Sequence, residues 1–445
     1  MPLFESKFFY WYTVTGGVFG RQSQRVVSVL VIISIILQKV ILIDRSTVIA
    51  IQSFGALLGC IVTPFTISKL GTKLTVLVLN NTVLALASLI YVTANSNCSA
   101  FLLFPGRLLS GVYIGITSVS LPIMIQELAP KNIKGALSCL IHVAVCLGAL
   151  LASTLSLDFA LGNEHLWGIL LAAPAAFAFI QLFASWFIPD TPNHLLLLDK
   201  EDDAIGSLRF YYGINELDKA EAIEQYQNLV QRIPPQLSAR NAFYSPSLRK
   251  EIALGAVVSA SQIFCGSVVA ASYSTSMFYL ASFTGPLIPL VPAFAALFSA
   301  LLSLPALFVV EYYGRRTLLL VTLGVCTICD YLFTCSSLFS EKNIFWSTAF
   351  ALAFFLFGIA YNIGVGPIAY FIPAELVPPA GASVALSVSV AVNWFCSLAT
   401  TFLYYPIDVA VGGWSYLLFA IPRLILNIVL FDFCFKCHIC YRLTV

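Results

Sequence analysis

Charge is what this sequence has least of. Asp, Glu, Lys and Arg together make 10% of its 445 residues, against about 25% in soluble globular chains. That shortage excludes an ordinary soluble enzyme, and it excludes a disordered chain still more firmly. The 23 basic and 21 acidic residues leave a net charge of +2, so no basic surplus exists for a nucleic-acid partner. No nucleotide-binding glycine loop or catalytic triad pattern occurs, and an enzyme reading has no support. The stretch from Met1 to Arg25 has no apolar core closed by a cleavage site, so the first apolar span is expected to act as its own insertion signal. Twelve cysteines are scattered, many of them within apolar runs. There they behave as small hydrophobes rather than as a disulfide framework.

Hydrophobic residues make up 59% of the chain. They gather in twelve segments, roughly 26–43, 47–68, 74–94, 104–125, 135–157, 166–188, 252–281, 287–310, 317–339, 344–372, 381–405 and 414–435. Each is long enough for a crossing of about 20 residues, and in lipid such a crossing must be a helix. Gly106, Gly111 and Gly115 recur at a spacing that lets helix backbones approach closely. The one long polar stretch, 189–250, splits the spans six and six. The expected domains are an N-terminal six-helix bundle over 1–188, a mostly helical linker over 189–250 with a helix near Leu217–Val230, and a C-terminal six-helix bundle over 251–445.

Basic residues in short loops set the orientation. Lys69 and Lys73, Lys131 and Lys134, and Arg315 and Arg316 fall on one side, with the linker and both termini. That side is expected to be cytoplasmic. Arg45 and Lys342 lie in the opposite loops. An internal repeat joins the halves: Glu127-Leu128-Ala129-Pro130 matches Glu375-Leu376-Val377-Pro378, and the loop around Gly71 matches that around Gly314. Two parallel six-span repeats are one known transporter plan, with the solute bound at the midplane.

These residues are joined by Gly106-Arg107-Leu108-Leu109-Ser110-Gly111, Pro189-Asp190-Thr191-Pro192, Tyr273-Ser274-Thr275-Ser276, Gly314-Arg315-Arg316, Gly366-Pro367-Ile368 and Asn393-Trp394. In that order they resemble the sugar porter family of the major facilitator superfamily, above all the facilitative glucose and hexose transporters. The resemblance implies an all-α membrane protein with twelve transmembrane helices in two pseudo-symmetric bundles. It also implies passive, alternating-access transport of a hexose such as glucose or fructose across the plasma membrane. It implies no cofactor and no metal, with a sugar and the bilayer as the partners.

The resemblance places Arg107, Glu127, Lys134, Glu311, Arg315, Arg316 and Glu375 in a gating network of charges at the cytoplasmic helix ends. Glu127→Gln is expected to loosen the inward-closed state. It further places His142, Gln262, Tyr273, Asn362, Tyr370, Asn393 and Trp394 around the sugar. Gln262 and Asn393-Trp394 keep the family residue. His142 stands for a family Gln, Asn362 for a Glu, Tyr370 for a Trp, and Ser299 and Ser397 for Asn. Ile263 and Val268 replace two amides. The family Arg after Glu375 is Ala382 here, and residues 1–46 have no counterpart of the family's first helix. Proton coupling is disfavoured, because the first span has no carboxylate apart from Asp44 at its edge. Two alternatives stay open: a carrier of another small polar solute such as a polyol or urate, and a transport-inactive homologue acting as a sensor or partner. Asn97-Cys98-Ser99 is a glycosylation sequon, and Cys434, Cys437 and Cys440 are juxtamembrane candidates for acylation.

Overall fold

The computed structural model describes residues 24–96, 100–130, 134–157, 160–162, 166–213, 245–281, 290–339 and 344–436. The Asn97 sequon, the expected Leu217–Val230 helix, Cys437 and Cys440 lie outside them. Helix α1 spans Gln24–Lys73. It is followed by α2 (Asn80–Ser96), α3 (Leu103–Leu128), α4 (Lys134–Leu155), α5 (Trp167–Ala172) and α6 (Pro174–Ala184). Two short helices, α7 (Pro192–Leu197) and α8 (Glu201–Tyr212), lie in the linker. The second half comprises α9 (Pro246–Ile263), α10 (Ser267–Leu280), α11 (Val291–Tyr313), α12 (Arg315–Phe339), α13 (Ile344–Ala360), α14 (Gly366–Glu375), α15 (Ala382–Val411) and α16 (Leu417–Lys436).

Among the described residues, nine helical segments are long and apolar enough to cross a membrane. Two of them, Ala50–Ser96 and Ala382–Phe431, each contain two of the expected spans. The expected break between the first two spans, at 44–46, is absent, because α1 runs through it. Asp44, Arg45 and Ser46 are polar, but no Gly or Pro stands between Gln24 and Phe54 to end the helix. The first expected span falls where only the backbone is described.

The chain turns instead at Gly71 (φ 80°, ψ 168°), and at the repeat-related Gly314 (φ 76°, ψ 150°). Both need a positive φ that only glycine adopts readily. The same loop geometry therefore recurs in each half, as the sequence repeat requires.

Glycines set the closest helix contact. A Cβ at Gly55, Gly59, Gly111 or Gly115 would collide with backbone of the facing helix, so α1 and α3 touch main chain to main chain. Gly115→Leu is therefore expected to separate α1 from α3, and overpacking of this kind costs about 3 kcal/mol. Surface biotinylation should show most of that variant retained inside the cell. Delivery equal to wild type would refute the close contact.

The halves meet along two seams. One joins α1 to α15, where Ser53 Oγ and Ser397 Oγ are 3.4 Å apart. The other joins α4 to α11 and α14. A buried cluster crosses the junction, with Cys60, Val119 and Ile123 of the first half against Ile252, Ala385 and Leu386 of the second. A larger one fills the second half around Phe333, Phe350 and Phe357. Large apolar side chains such as Phe179, Phe183, Phe308 and Leu352 cover the outside, as a lipid solvent allows.

Helix α8 is held under α3. Tyr212 OH donates to the Leu128 carbonyl at 2.8 Å, Tyr211 OH to that of Pro189 at 3.0 Å, and Ser207 Oγ to that of Asp190 at 2.6 Å. Burial raises both tyrosine pKa values, which keeps them protonated as donors. Glu201, Asp202 and Asp203 sit in the first turn and Gly213 closes the helix in the left-handed conformation, the charge and cap arrangement that favours a short helix.

Candidate functional site

Two crossings are interrupted where the halves face each other. Between α9 and α10 the chain breaks at Phe264-Cys265-Gly266, with Gly266 at φ 76°. Between α13 and α14 it widens into a π-helical turn over Tyr361–Val365. Such interruptions free backbone groups at membrane depth, which lipid does not tolerate but a polar site does.

Five crossings supply a connected polar layer there. His142 of α4 meets Asn362 of the π turn, Nε2 to Oδ1 at 3.2 Å. Asn362 Nδ2 donates to Ser299 Oγ of α11 at 3.0 Å and to the Gly358 carbonyl at 2.8 Å. Cys146 Sγ, one turn beyond His142, lies 3.4 Å from Asn362 Oδ1. Gln262, the penultimate residue of α9, donates through Nε2 to Tyr361 OH at 3.4 Å and to the Gly366 carbonyl at 3.3 Å. Its Oε1 accepts from Asn393 Nδ2 of α15 at 2.8 Å. The His142 ring lies 6.0 Å from that of Tyr361 and 6.3 Å from that of Tyr370.

His142, Gln262, Asn362, Tyr370 and Asn393 are thus brought to one place. Trp394 is half-buried against the junction cluster beside Asn393. Tyr273 lies on α10, where its side chain is not described. His142 and Asn362 are each 3% exposed and Gln262 is 4%. These groups satisfy one another, apart from His142 Nδ1, which has no partner among the described residues. Buried polar groups need such pairing. A layer of uncharged donors and acceptors can exchange those bonds for the hydroxyls of a neutral polyhydroxy solute. Gly366 presses on the imidazole, since a Cβ there would stand 2.5 Å from His142 Cε1.

The charged residues divide into three places. Arg315 of α12 pairs with Glu375 at the end of α14, Nε to Oε2 at 3.7 Å. Glu311 Oε1 accepts from the Ala136 amide in the first turn of α4 at 3.1 Å, a carboxylate at the positive end of a helix. Gly135 lies against the Arg315 guanidinium, and Lys134 is within electrostatic reach of Glu375. Lys134, Glu311, Arg315 and Glu375 therefore join the halves at one end of the seam. Arg316 is half-buried beside them in sequence.

Glu127 occupies the repeat-related place in the first half. Thr72 Oγ1 donates to its Oε2 at 2.9 Å, and Thr191 Oγ1 lies 3.3 Å from Thr72 Oγ1. Thr72 follows Gly71 as Arg315 follows Gly314, so a hydroxyl stands in one half where a guanidinium stands in the other.

Arg107 does not belong with these. It is near the start of α3 and Glu127 is at its end. At 1.5 Å per residue they are about 30 Å apart, at opposite faces of the bilayer. Arg107 Nη1 donates to Gln52 Oε1 at 2.7 Å.

Sequence reasoning passed over Tyr361 and Cys146, which carry no pattern of their own. It also passed over Asp330 and Arg423, which an ionisable residue inside an expected span should have flagged.

Paired membrane-crossing halves, broken helices and a polar layer between them make this a multi-pass membrane protein with the major facilitator fold. A model described as sugar (and other) transporter matches residues 15–440, and the chain belongs to that family. It is 31% identical over 387 residues to the solute carrier family 2, facilitated glucose transporter member 4 of Mus musculus, covering 86% of this chain and 75% of the relative. Member 7 of the same species is 30% identical over 388 residues, covering 85% and 75%. Among solved structures, the xylose transporter XylE from E. coli in a partially occluded inward-open state superposes with TM-score 0.68 at 18% identity, over 87% of this chain and 88% of that one. The proton:xylose symporter XylE bound to 6-bromo-6-deoxy-D-glucose gives 0.67 at 18% identity, over 87% and 85%.

Proposed function

We propose that this chain is a facilitative carrier that moves a hexose, of glucose or fructose type, across the plasma membrane by alternating access. The observation that carries this reading is the uncharged layer of His142, Asn362, Gln262 and Asn393 bridging spans of both halves. The resemblance to facilitated glucose transporters supports the substrate class. Among the described residues the layer holds no carboxylate, which favours uniport over proton coupling. The basic loops put both termini and the 189–250 linker in the cytoplasm, so the Lys134–Glu311–Arg315–Glu375 set is the inner closure. In this reading the N-terminal unit is 1–188 and the C-terminal unit 251–445.

Labelled glucose and fructose uptake in cells without their own hexose carriers tests the proposal. Saturable, gradient-dissipating uptake is expected. Trp394→Ala, which removes a half-buried aromatic face beside Asn393, is expected to reduce uptake at least about tenfold at equal surface expression. Uptake that scales with a pH gradient would refute uniport. No uptake of either sugar, with the carrier at the surface, would refute the hexose assignment. A second reading, a less hydroxylated solute such as a smaller polyol or urate, is favoured by Ile263 and Val268, aliphatic residues next to Gln262 and Ser267. A broader solute screen decides it.

A further inference from the structure

The apolar core of the second half contains an ion pair that the transport reading leaves unused. Arg423 Nη1 of α16 donates to Asp330 Oδ2 of α12 at 2.7 Å, with side-chain exposures of 0% and 4%. Arg423 Nη2 donates to the Leu323 carbonyl at 3.1 Å. One turn on, Asn427 Nδ2 donates to Thr327 Oγ1 at 2.9 Å, so α12 and α16 are tied twice. A charge in this position is expensive, and each partner makes the other tolerable. Apolar packing alone would hold two helices together, so the pair needs another reason.

That reason lies on the far side of the guanidinium. Arg423 lies within electrostatic reach of Cys326 of α12, and Cys326 packs in one buried cluster with Cys265, the middle residue of the α9–α10 break. Cys265 Sγ donates to the Ser261 carbonyl at 3.1 Å. Phe419, one turn before Arg423 on α16, packs under Gly266, with its nearest ring carbon 3.6 Å from a Cβ position there. Gln262 stands three residues before Cys265, and Ser267 Oγ closes the break by donating to the Gln262 carbonyl at 3.3 Å. Glycine at the break has more backbone freedom than any other residue, so neighbouring packing must fix the angle there. A guanidinium held by a carboxylate and a carbonyl has a fixed plane, which an aliphatic chain lacks.

We propose that Arg423, anchored by Asp330, is a positioning residue for the transported solute: it backs the α9–α10 break through Cys326 and Cys265 and so sets where Gln262 is presented. This rests on the hexose-carrier reading.

Arg423→Leu alone leaves Asp330 without its cation and is expected to be retained inside the cell. The test variant is therefore the double replacement Asp330→Leu and Arg423→Met, which removes both charges at similar volume. At matched surface expression, its hexose KM should rise about fivefold or more while the maximal rate changes less than about twofold. A control, Thr327→Val with Asn427→Leu, unties α12 from α16 one turn away and should leave KM unchanged. Alkylation of Cys265 by a membrane-permeant maleimide, read by peptide mass spectrometry, should rise severalfold in the test variant only.

Where the wild type carries hexose, an unchanged KM in the test variant, or an equal KM rise in the control, overturns the proposal. Where the wild type carries none, the hexose reading fails, and Cys265 alkylation alone decides whether Arg423 backs the break. Equal alkylation in wild type and test variant then overturns it.

Discussion

Gln262→Leu is expected to lower hexose kcat/KM about a hundredfold. Gln262 supplies both an acceptor, used by Asn393 Nδ2 at 2.8 Å, and a donor, used by Tyr361 OH and the Gly366 carbonyl. These long donor contacts, 3.4 and 3.3 Å, are the ones a better-placed hydroxyl would displace. A neutral hydrogen bond lost with its partner left buried costs about 1–3 kcal/mol, and two such losses reach about a hundredfold at 1.4 kcal/mol per decade. The neighbouring position gives no relief, because Ile263 is aliphatic and 5% exposed. Leucine keeps the volume and helix propensity, so surface delivery should be near normal. Initial-rate uptake over a range of concentrations measures the effect. A rise in KM with the maximal rate preserved would mean Gln262 binds the solute equally throughout the cycle. A fall in the maximal rate as well would mean its bonds tighten during the crossing. A change below about threefold would remove Gln262 from the solute's path.

The fold was legible because lipid leaves so few choices. Apolar runs of crossing length had to be helices, and the repeated Glu-Leu-x-Pro and glycine loops announced two similar halves. The structure returns that repeat as geometry: Gly71 and Gly314 share a positive φ, and the residue after each meets the carboxylate of Glu127 or Glu375. Helix junctions were less legible. Asp44-Arg45-Ser46 looked like a loop because it is polar, yet polarity does not end a helix where no residue breaks it.

Within the site, residue types and positions could be read, but their pairing could not. The closure of Asn362 on His142 depends on the π turn at Tyr361 and on Gly366 leaving room for the imidazole, neither of which has a periodicity to detect. Arg107 shows the reverse failure. Its motif resembles the gating set, but twenty residues of helix separate it from Glu127. Asp330 and Arg423 are each visible in the sequence, but their pairing is not. Each stands in a long apolar run, and only the packing of α12 on α16 reveals that they meet.

Arg315→Ala is expected to open the Lys134 end of the seam. Arg315 pairs with Glu375 and lies against Gly135, while Glu311 holds the Ala136 amide, so second-half charges grip the first turn of α4. The pair is 24% and 22% exposed, where screening limits one ion pair to about 0.2–1 kcal/mol. Removing the guanidinium also leaves Glu375 partly buried without that cation, which raises the cost of the closed state. A shift of about 1.4 kcal/mol moves the open-to-closed ratio tenfold. The native Cys139 reports this directly, since it is 1% exposed on α4 little more than one turn beyond Lys134. Its alkylation should rise about fivefold or more in Arg315→Ala, and similarly in Glu375→Gln. Glu127→Gln, which the sequence resemblance leads one to expect would loosen the closed state, should instead change it less than twofold, because glutamine still accepts from Thr72 and that contact lies within the first half. Equal Cys139 alkylation in Arg315→Ala and wild type would show that the charged grip does not hold the seam shut. A large rise in Glu127→Gln would mean the first-half carboxylate carries the closure despite its threonine partner.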